Sequence, residues 1–319
     1  MTQALRRDHA ELVREVAMSP AAGRSAFAAS WRRSLLHHRI DPATGAAPDR
    51  LGAQELRART EASGRLMAVA RPILDRLARA AADAGCSVLL SDPEGLVLDE
   101  RLRPADVAEF HGWGLAPGAL WSEAAEGTNG IGTCVAEKRP VIVWRNQHFR
   151  ARNTRLACMG APVFGPEGEL AGVIDVSSVR EDLTEAYARL IALTTQDAAQ
   201  RIEAELFRAR WAGARILAPE AEGTEAGGPV LLAIDADDLV VGASRAARRS
   251  FDLSPERLGR VPAGDLLGFG APQGLHGAER AEMTRALARA GGNVSAAARE
   301  LGIGRATFYR KMKALGIEG

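Results

Sequence analysis

The residues whose types and spacing best support a binding chemistry are basic side chains near the end of the chain. Residues 278–319 contain eight Lys or Arg and four Asp or Glu, a local charge of +4, whereas the 319 residues together carry only +1. Clustered Lys and Arg are the usual electrostatic footprint of a protein that neutralises nucleic-acid phosphates. This region is therefore the first candidate for a functional site.

One segment of this region is predicted to present its cations on a single helical face. Residues 305–315 contain good helix formers, and at helical spacing Phe308, Met312 and Leu315 fall within one narrow sector that would face a small core. Arg310 then points away from the core, where an arginine can pair with the edge of guanine in the major groove. Residues in the first turn of such a helix reach base edges, and those farther along reach phosphates. The predicted DNA-contacting residues are Arg305, Thr307, Tyr309, Arg310, Lys311 and Lys313.

Turn residues divide the same region into three helices. Gly291, Gly302 and Gly316 each follow a run of helix formers, where glycine commonly ends a helix, and Asn293 is a good N-cap residue. Two short helices joined by a glycine-containing turn are typical of a helix-turn-helix. The alternative is a signalling or adaptor protein whose trihelical module binds protein; a steep salt dependence of DNA binding would distinguish the two.

Upstream, hairpin signals indicate a sheet domain. The turn sequences at 92–95 and 165–168 each separate two apolar runs, and 140–144 is another apolar run. Helical composition before residue 85 and from about 184 to 210 predicts an α+β domain, an antiparallel sheet with flanking helices. Ligand pockets are mostly apolar and aromatic, although such residues also form ordinary core, and both alternatives stay open here. The candidate pocket residues are Trp113, Trp121, Asn129, Trp144 and Phe149.

These patterns resemble known bacterial regulators. Residues 276–319 resemble the Fis-type DNA-binding domain, except that Gly304 stands where asparagine or serine is commoner. The stretch Glu126-Gly-Thr-Asn-Gly-Ile-Gly-Thr-Cys-Val-Ala-Glu-Lys-Arg-Pro-Val-Ile-Val and the hairpin at 160–177 resemble the GAF sensor domain of acetoin-catabolism-type activators. The sequence Ser30-Trp-Arg-Arg-Ser is similar to that family as well, and the segment 230–270 is similar to a truncated PAS domain.

The resemblance implies a transcriptional regulator without the ATPase domain that is usual in this type of activator. Most activators of this type carry a central ATPase that acts on the sigma-54 form of RNA polymerase, but no G-x-x-x-x-G-K-[ST] loop for nucleotide phosphates occurs in this sequence. The chain is similar in this respect to shorter GAF-plus-Fis regulators, a group that includes activators of gene-transfer-agent clusters in alphaproteobacteria. The resemblance therefore implies action by DNA occupancy and recruitment of RNA polymerase, with a GAF domain that senses a small-molecule effector or dimerises.

Other classes of function find little support in the sequence. No H-E-x-x-H, G-x-S-x-G or paired-carboxylate pattern occurs, so we expect no enzyme and no cofactor. Cys134 and Cys158, with His148 between them, could ligate a metal, but small cysteines in a sheet domain are more often packing residues, and we predict no metal. No run of about 18 apolar residues and no signal peptide occurs, so we expect a cytoplasmic protein without a membrane span.

The domain organisation follows from these assignments. The predicted parts are an N-terminal helical region at 1–55, a GAF-like sensor domain at 56–212, a linker at 213–229, a truncated PAS-like segment at 230–270 and a Fis-type helix-turn-helix at 276–319. Because one helix-turn-helix contacts little DNA, we expect a homodimer that binds twofold sites. The predicted dimer surface consists of two helical faces, whose apolar residues are Leu66, Val69, Ile73, Leu77, Leu190, Leu193, Ile202 and Leu206. The alternative is that these faces cover the sheet of the same chain.

Overall fold

The computed structural model describes residues 3–219, 227–268 and 274–317. The chain divides into two compact units. The first comprises Met1–Ala233 and Gly242–Leu253, and the second comprises Ile234–Val241 and Ser254–Gly319. The first unit contains the sheet of the sensor domain, and the second contains the C-terminal helices.

The elements of the described residues are given in chain order. The helices are α1 (Gln3–Met18), α2 (Ala26–Arg32), α3 (Ala53–Ala62), α4 (Gly64–Ala82), α5 (Val107–Gly112), α6 (Glu123–Glu126), α7 (Gly130–Glu137), α8 (Glu185–Arg210), α9 (Arg245–Ser250), α10 (Ala263–Leu267), α11 (Gly274–Arg289), α12 (Val294–Glu300) and α13 (Arg305–Ala314). The strands are β1 (Cys86–Ser91), β2 (Val97–Arg101), β3 (Val141–Trp144), β4 (Ala157–Phe164), β5 (Leu170–Ser178), β6 (Arg215–Leu217), β7 (Leu232–Ile234) and β8 (Val240–Ala243). A π-helical turn, Arg33–His37, extends α2.

The predicted antiparallel sheet with flanking helices is confirmed. Five strands form it in the order β2-β1-β5-β4-β3, and each neighbouring pair is antiparallel. The β4–β5 hairpin closes at the turn predicted from sequence, where the Gly168 N–H donates to the Gly165 carbonyl at 3.0 Å. Gly168 has a φ of +91°, a conformation that favours glycine.

The sheet is covered on both faces. On one face, Met159, Ile174 and Val176 pack against α4 and α8. On the other face, Leu89 and Cys158 pack with residues of α5, α7 and the segment between them. Because both faces are buried, β4 and the inner part of β5 read as nearly continuous apolar sequence rather than as an alternating pattern.

The helical faces predicted to form a dimer surface lie largely inside this core. Half of the eight residues named for that surface are buried against the sheet of their own chain, and these are Leu66, Leu77, Ile202 and Leu206. Val69 and Ile73 pack against the same core and are partly buried. Leu190 and Leu193 of α8 are exposed at 54% and 61%. Of the eight residues, Leu190 and Leu193 are therefore the two that remain largely accessible.

Two local expectations are refined by the structure. The helical sequence just before residue 85 forms two helices, α3 and α4, because the weak helix formers Ser63 and Gly64 interrupt it. The predicted linker at 213–229 contains the strand β6, a pairing that composition did not indicate.

No helix in the described parts of the chain combines the length and the apolar character needed to cross a membrane.

Candidate nucleic-acid interface and sensor site

The C-terminal helices α11, α12 and α13 form a small core of their own. Phe308 and Met312 of α13 are buried with Met283 and Leu287 of α11, and Leu315 packs against the same cluster. The apolar stripe predicted for the last helix therefore faces inward. A separate core of this kind lets the three helices act as one rigid element that presents the outer face of α13.

Turn chemistry at the helix ends agrees with the sequence. Gly291, Gly302 and Gly316 all have positive φ angles, between +59° and +66°, directly after α11, α12 and α13. The side chain of Asn293 accepts a hydrogen bond from the Ala296 N–H at 3.2 Å and so caps α12. Gly304 begins α13 without a side-chain cap. The four residues 301–304 join α12 to α13, a spacing typical of a helix-turn-helix.

The outer face of α13 is basic and largely unpaired. Arg305, Tyr309, Arg310 and Lys313 are exposed, and Thr307 is half-buried. The guanidinium of Arg305 lies 5.6 Å from the centre of the Tyr309 ring, an arrangement that aligns both side chains along the exposed face. Five of the six predicted DNA-contacting residues are thus placed on the accessible side of this helix.

The sixth predicted residue, Lys311, has a different environment. Its ammonium forms an ion pair with Glu279 of α11, and the side chain is partly buried. A phosphate contact by Lys311 would have to compete with this carboxylate. Arg285 and Arg289 of α11 are also paired with Glu282. The exposed cations of α13 are therefore more available to bind DNA phosphates or bases.

In the sensor domain, the motif that begins at Glu126 forms the start of α7. The Asn129 side chain accepts a hydrogen bond from the Gly132 N–H at 2.8 Å and donates to the carbonyls of Gly127 and Trp121. Its three polar contacts are thus satisfied within the chain. A Cβ on Gly132 would overlap the backbone of Glu123, so this glycine permits α6 and α7 to pack closely. The glycines of this motif therefore permit close packing of helices. This role fits the sequence, which has no phosphate-binding loop with its lysine.

The Ser-Trp-Arg-Arg-Ser sequence connects α2 to this motif. Ser30 donates to Glu123 and lies 2.6 Å from Thr128 Oγ1, while Arg33 binds both oxygens of Glu123 at 2.8 and 3.1 Å. The indole of Trp31 donates to the Gln147 carbonyl at 2.8 Å and packs in a cluster with Phe149. The N-terminal helices therefore form part of the packing of the sensor domain. The sequence marked this motif only by family resemblance, since its partners lie about 90 residues or more away.

The buried carboxylate of Glu126 links α6 to the segment after β3 through ion pairs. Glu126 is 2% exposed and forms ion pairs with Arg150 at 3.3 Å and Arg152 at 2.7 Å. Both arginine side chains are themselves almost buried, at 11% and 9% exposure. Arg150 also donates to the Ala125 carbonyl at 2.6 Å. One carboxylate thus compensates two desolvated cations.

The structure does not bring the aromatic candidates for the ligand pocket together. Trp113 and Trp121 pack in the cluster between the sheet and α5–α7. Trp144 packs against the core on the opposite face, and Phe149 packs with Trp31 and the N-terminal helices. A pocket on the α5–α7 side would therefore draw on Trp113, Trp121 and Asn129, and the ligand site remains a prediction.

A row of buried polar side chains crosses the inner strands on this side of the sheet. Ser177 Oγ lies 2.5 Å from Asp175 Oδ2 and 3.1 Å from Cys158 Sγ, and His148 Nε2 lies 3.3 Å from the same sulfur. Burial raises the pKa of Asp175 to about 6, and the Ser177 hydroxyl partly opposes this shift. Burial lowers the pKa of His148 to about 4, although its bond to the Arg145 carbonyl opposes this. Sequence reasoning missed Asp175 and Ser177, whose one signal was their position within an apolar run.

His148 and the two cysteines were weighed as metal ligands from sequence. The neutral His148 ring donates Nδ1–H to the Arg145 carbonyl at 2.9 Å, which leaves Nε2 to accept from the Cys158 thiol. Burial raises the pKa of both Cys134 and Cys158 well above the usual value, so both remain thiols. Within the described ranges, no group of three or more His, Cys, Asp or Glu side chains is arranged to hold a metal ion.

The fold and the two sites define a class of protein, a regulator that joins a GAF-like sensor domain to a helix-turn-helix. The family model described as MimR, N-terminal domain matches residues 2–204, and the chain belongs to that family. A second model, Bacterial regulatory protein, Fis family, matches residues 276–315. The resemblances to the Fis-type domain and to the sensor domain of acetoin-catabolism-type activators are thereby confirmed, and the PAS-like segment at 230–270 stays a prediction.

Several curated proteins are similar in sequence. The Acetoin catabolism regulatory protein of Cupriavidus necator is 30% identical over 243 residues, which cover 75% of this chain and 36% of that protein. The Propane 2-monooxygenase operon transcriptional activator MimR of Mycolicibacterium smegmatis is 34% identical over 166 residues, 50% of this chain and 27% of that protein. The chain thus spans about a third of the length of these relatives, and both are named as regulators rather than as enzymes.

A solved structure supports the fold of the N-terminal part. A chain in the crystal structure of the Escherichia coli DhaR(N)–DhaL complex matches 74% of this chain and 80% of its own length, with a TM-score of 0.52 and 16% identity. At this level of identity the similarity concerns the fold alone.

Proposed function

We propose that the protein is a sequence-specific DNA-binding transcriptional regulator with α13 as its recognition helix. One observation carries the proposal. Arg305, Arg310 and Lys313 are exposed on α13, whereas Phe308 and Met312 on its opposite side are buried in the three-helix core. An element of this shape fits the major groove and brings both base-reading and phosphate-binding side chains to it.

The two kinds of contact have different roles. Arg310 is proposed to read a guanine edge, together with Arg305 in the first turn of the helix. Thr307, Tyr309, Lys311 and Lys313 are proposed to position the helix on the phosphate backbone. Recruitment of RNA polymerase, without ATP hydrolysis, is the proposed mode of action because no P-loop is found in these 319 residues. We propose activation rather than repression since the similar MimR of Mycolicibacterium smegmatis is named as a transcriptional activator.

The sensor domain is proposed to bind a small-molecule effector, to dimerise, or both. The side of the sheet with Trp113, Trp121 and Asn129 is the proposed effector side, since it combines aromatic and polar buried groups. The proposed homodimer would use Leu190 and Leu193, two exposed leucines in the N-terminal half of α8. A dimer would place two recognition helices on a twofold site about one helical turn apart.

Gel-shift titration of the full chain tests the DNA-binding proposal. Arg310→Ala is expected to lower the preference for the operator over scrambled DNA about 5- to 150-fold, which corresponds to about 1–3 kcal/mol of base discrimination. Lys313→Ala is expected to weaken binding to both DNAs and to reduce the salt slope by about 0.9, the value for one lost phosphate contact. Arg285→Ala, whose guanidinium is paired with Glu282, is the matched control.

Two outcomes would contradict the proposal. If Arg310→Ala keeps the wild-type preference for the operator, the assigned recognition face is wrong. If the wild-type protein shows no salt-dependent DNA binding but its C-terminal helices capture a protein partner, the adaptor alternative replaces the regulator.

A further inference from the structure

A charged cavity lies beside α8 in the first unit, on the side of the sheet away from the proposed effector side. Its volume is about 270 Å³. The turn after α7, the end of β4, the middle of α8, the backbone at 227–228 and the helix α9 all contribute to its wall. The residues on which the argument depends are Lys138, Phe164, Glu203, Gly228, Arg245 and Arg249.

Two arginines of α9 face this cavity together. Arg245 and Arg249 are one helical turn apart, and the Arg245 guanidinium lies 3.8 Å from the centre of the Phe164 ring. Burial, and the nearby charge of Arg249, lower the pKa of Arg245 below its usual value. Neither arginine forms an ion pair with any residue in the described parts of the chain. Like charges one helical turn apart repel each other, and the nearby charge of Glu203 opposes this repulsion only in part.

The carboxylates near these arginines compensate them poorly. Glu203 accepts a hydrogen bond from the Phe164 N–H at 3.0 Å, and its burial raises its pKa to about 7. It is therefore only partly ionised near neutral pH. The other acidic wall residue, Glu137, is already paired with Arg33 at 2.8 Å. Lys138, which is exposed at the rim, adds a further positive charge.

We propose that this cavity binds one small oxyanion, held by the guanidiniums of Arg245 and Arg249 with Lys138 at the rim. Guanidinium groups match the oxygen geometry of carboxylates and phosphates and bind them through paired hydrogen bonds. Pockets for drug-sized ligands occupy about 300–1,000 Å³, so this smaller cavity suits a compact organic acid or a phosphate group rather than a whole nucleotide. The bound anion would link the sensor helix α8 to α9 within the first unit.

Titration calorimetry on the full chain without DNA tests this site. Because no DNA is present, a negative result would count against the anion site and not against the DNA-binding proposal. Sulfate serves as the probe for a phosphate-like group and succinate for a carboxylic acid, both at constant ionic strength maintained with sodium chloride. Saturable binding of one anion per chain is expected for at least one probe. Sulfate binding alone assigns a phosphate-like ligand, and succinate binding alone assigns an organic acid.

Substitutions then locate the bound anion. Arg249→Gln is expected to weaken binding of that probe at least tenfold, and the double variant R245Q/R249Q is expected to abolish it. Arg201→Gln removes the same charge from an exposed position of α8 outside this cavity and should bind as the wild type does. Because Arg245 also packs on Phe164, circular dichroism must show that the double variant is folded. If the double variant does not fold, the single variant Arg249→Gln still tests the site, because Arg249 is exposed.

A pH series adds a second readout. The charged groups that share the cavity wall with Glu203 are Arg245 and Arg249 of α9 and, at the end of α7 and just after it, Glu137, Lys138 and Arg139; the Phe164 N–H of β4 donates to Glu203. The pKa of Glu203 is raised to about 7 by burial, and its ionised form repels an anion. Wild-type affinity for the bound probe is expected to fall as the pH rises from 6.5 to 8.5, whereas Glu203→Gln is expected to bind with little change. Absence of saturable binding by both probes, or equal affinities in wild type and R249Q, would overturn the proposal.

Discussion

Replacement of Glu126 by Gln is expected to destabilise the sensor domain strongly. The substitution preserves the size of the side chain but removes the negative charge that faces Arg150 and Arg152. Both arginines are nearly buried, and Arg150 Nε, Arg150 Nη1 and Arg152 Nε have no hydrogen-bond partner among the described residues. Removal of one partner from a buried ion pair costs about 3–5 kcal/mol, because it leaves a desolvated charge without compensation.

Urea denaturation followed by tryptophan fluorescence measures this loss. The chain has five tryptophans, and all lie in the first unit, so the signal reports on the sensor domain and not on the C-terminal helices; they are Trp31, Trp113, Trp121, Trp144 and Trp211. At an m-value of about 2–3 kcal/mol per molar urea, a loss of about 3–5 kcal/mol lowers the midpoint by about 1–2.5 M.

The matched control is Glu185→Gln on α8. Glu185 makes an ion pair with Arg189 at 3.3 Å, but the two side chains are 61% and 70% exposed. Exposed pairs of this kind contribute about 0–1 kcal/mol, so the midpoint of the control should move little. If Glu126→Gln lost no more stability than the control, the buried charge cluster would not have the role assigned to it.

Three further predictions concern pH, assembly and ATP. The raised pKa of Asp175 lowers the free energy of unfolding as the pH rises from about 4 to 6, and the lowered pKa of His148 increases it from about 4 to 6.5, so the two effects oppose each other. Subtraction of the wild-type profile from that of Asp175→Asn isolates the Asp175 effect, and this difference in the free energy of unfolding, measured by urea denaturation, should rise by about 3 kcal/mol from pH 4 to 6; a flat difference would contradict the assignment. In sedimentation velocity at micromolar concentration the full chain should be a dimer, the double variant L190E/L193E a monomer, and Leu275→Glu, at a position outside the sensor domain, still a dimer; a monomeric wild type would refute the dimer. ATP turnover should equal background with and without DNA, and hydrolysis stimulated by DNA would show that a nucleotide site was missed.

Much of the local structure was predictable because neighbouring residues decide it. The hairpin turns at 92–95 and 165–168, the glycines after the C-terminal helices and the inward stripe of α13 all follow from short-range backbone preferences and helical periodicity. The interruption between α3 and α4 was missed, although Ser63 and Gly64 are weak helix formers. Composition alone does not locate the residue at which a helix breaks.

The position of functional groups relative to the core could not be read from spacing. Leu66 and Leu77 recur at helical intervals, as a dimer surface would require, yet the tertiary packing buries them against their own sheet. The four aromatic residues predicted to share a pocket lie in three different clusters, since side chains on opposite faces of a sheet can be close in sequence and remain separated.

A basic helix-turn-helix and an antiparallel sheet domain before it were predictable from residue order, because both depend on turn residues and on the periodicity of short segments. Three other features arise only when distant segments pack: Ser30 and Arg33 bind Glu123, Glu126 compensates two arginines, and Arg245 and Glu203 line one cavity. The physical reason is that burial and electrostatic compensation depend on chain segments many tens of residues apart. The packing of those segments determines which charged groups are desolvated and which of them form ion pairs.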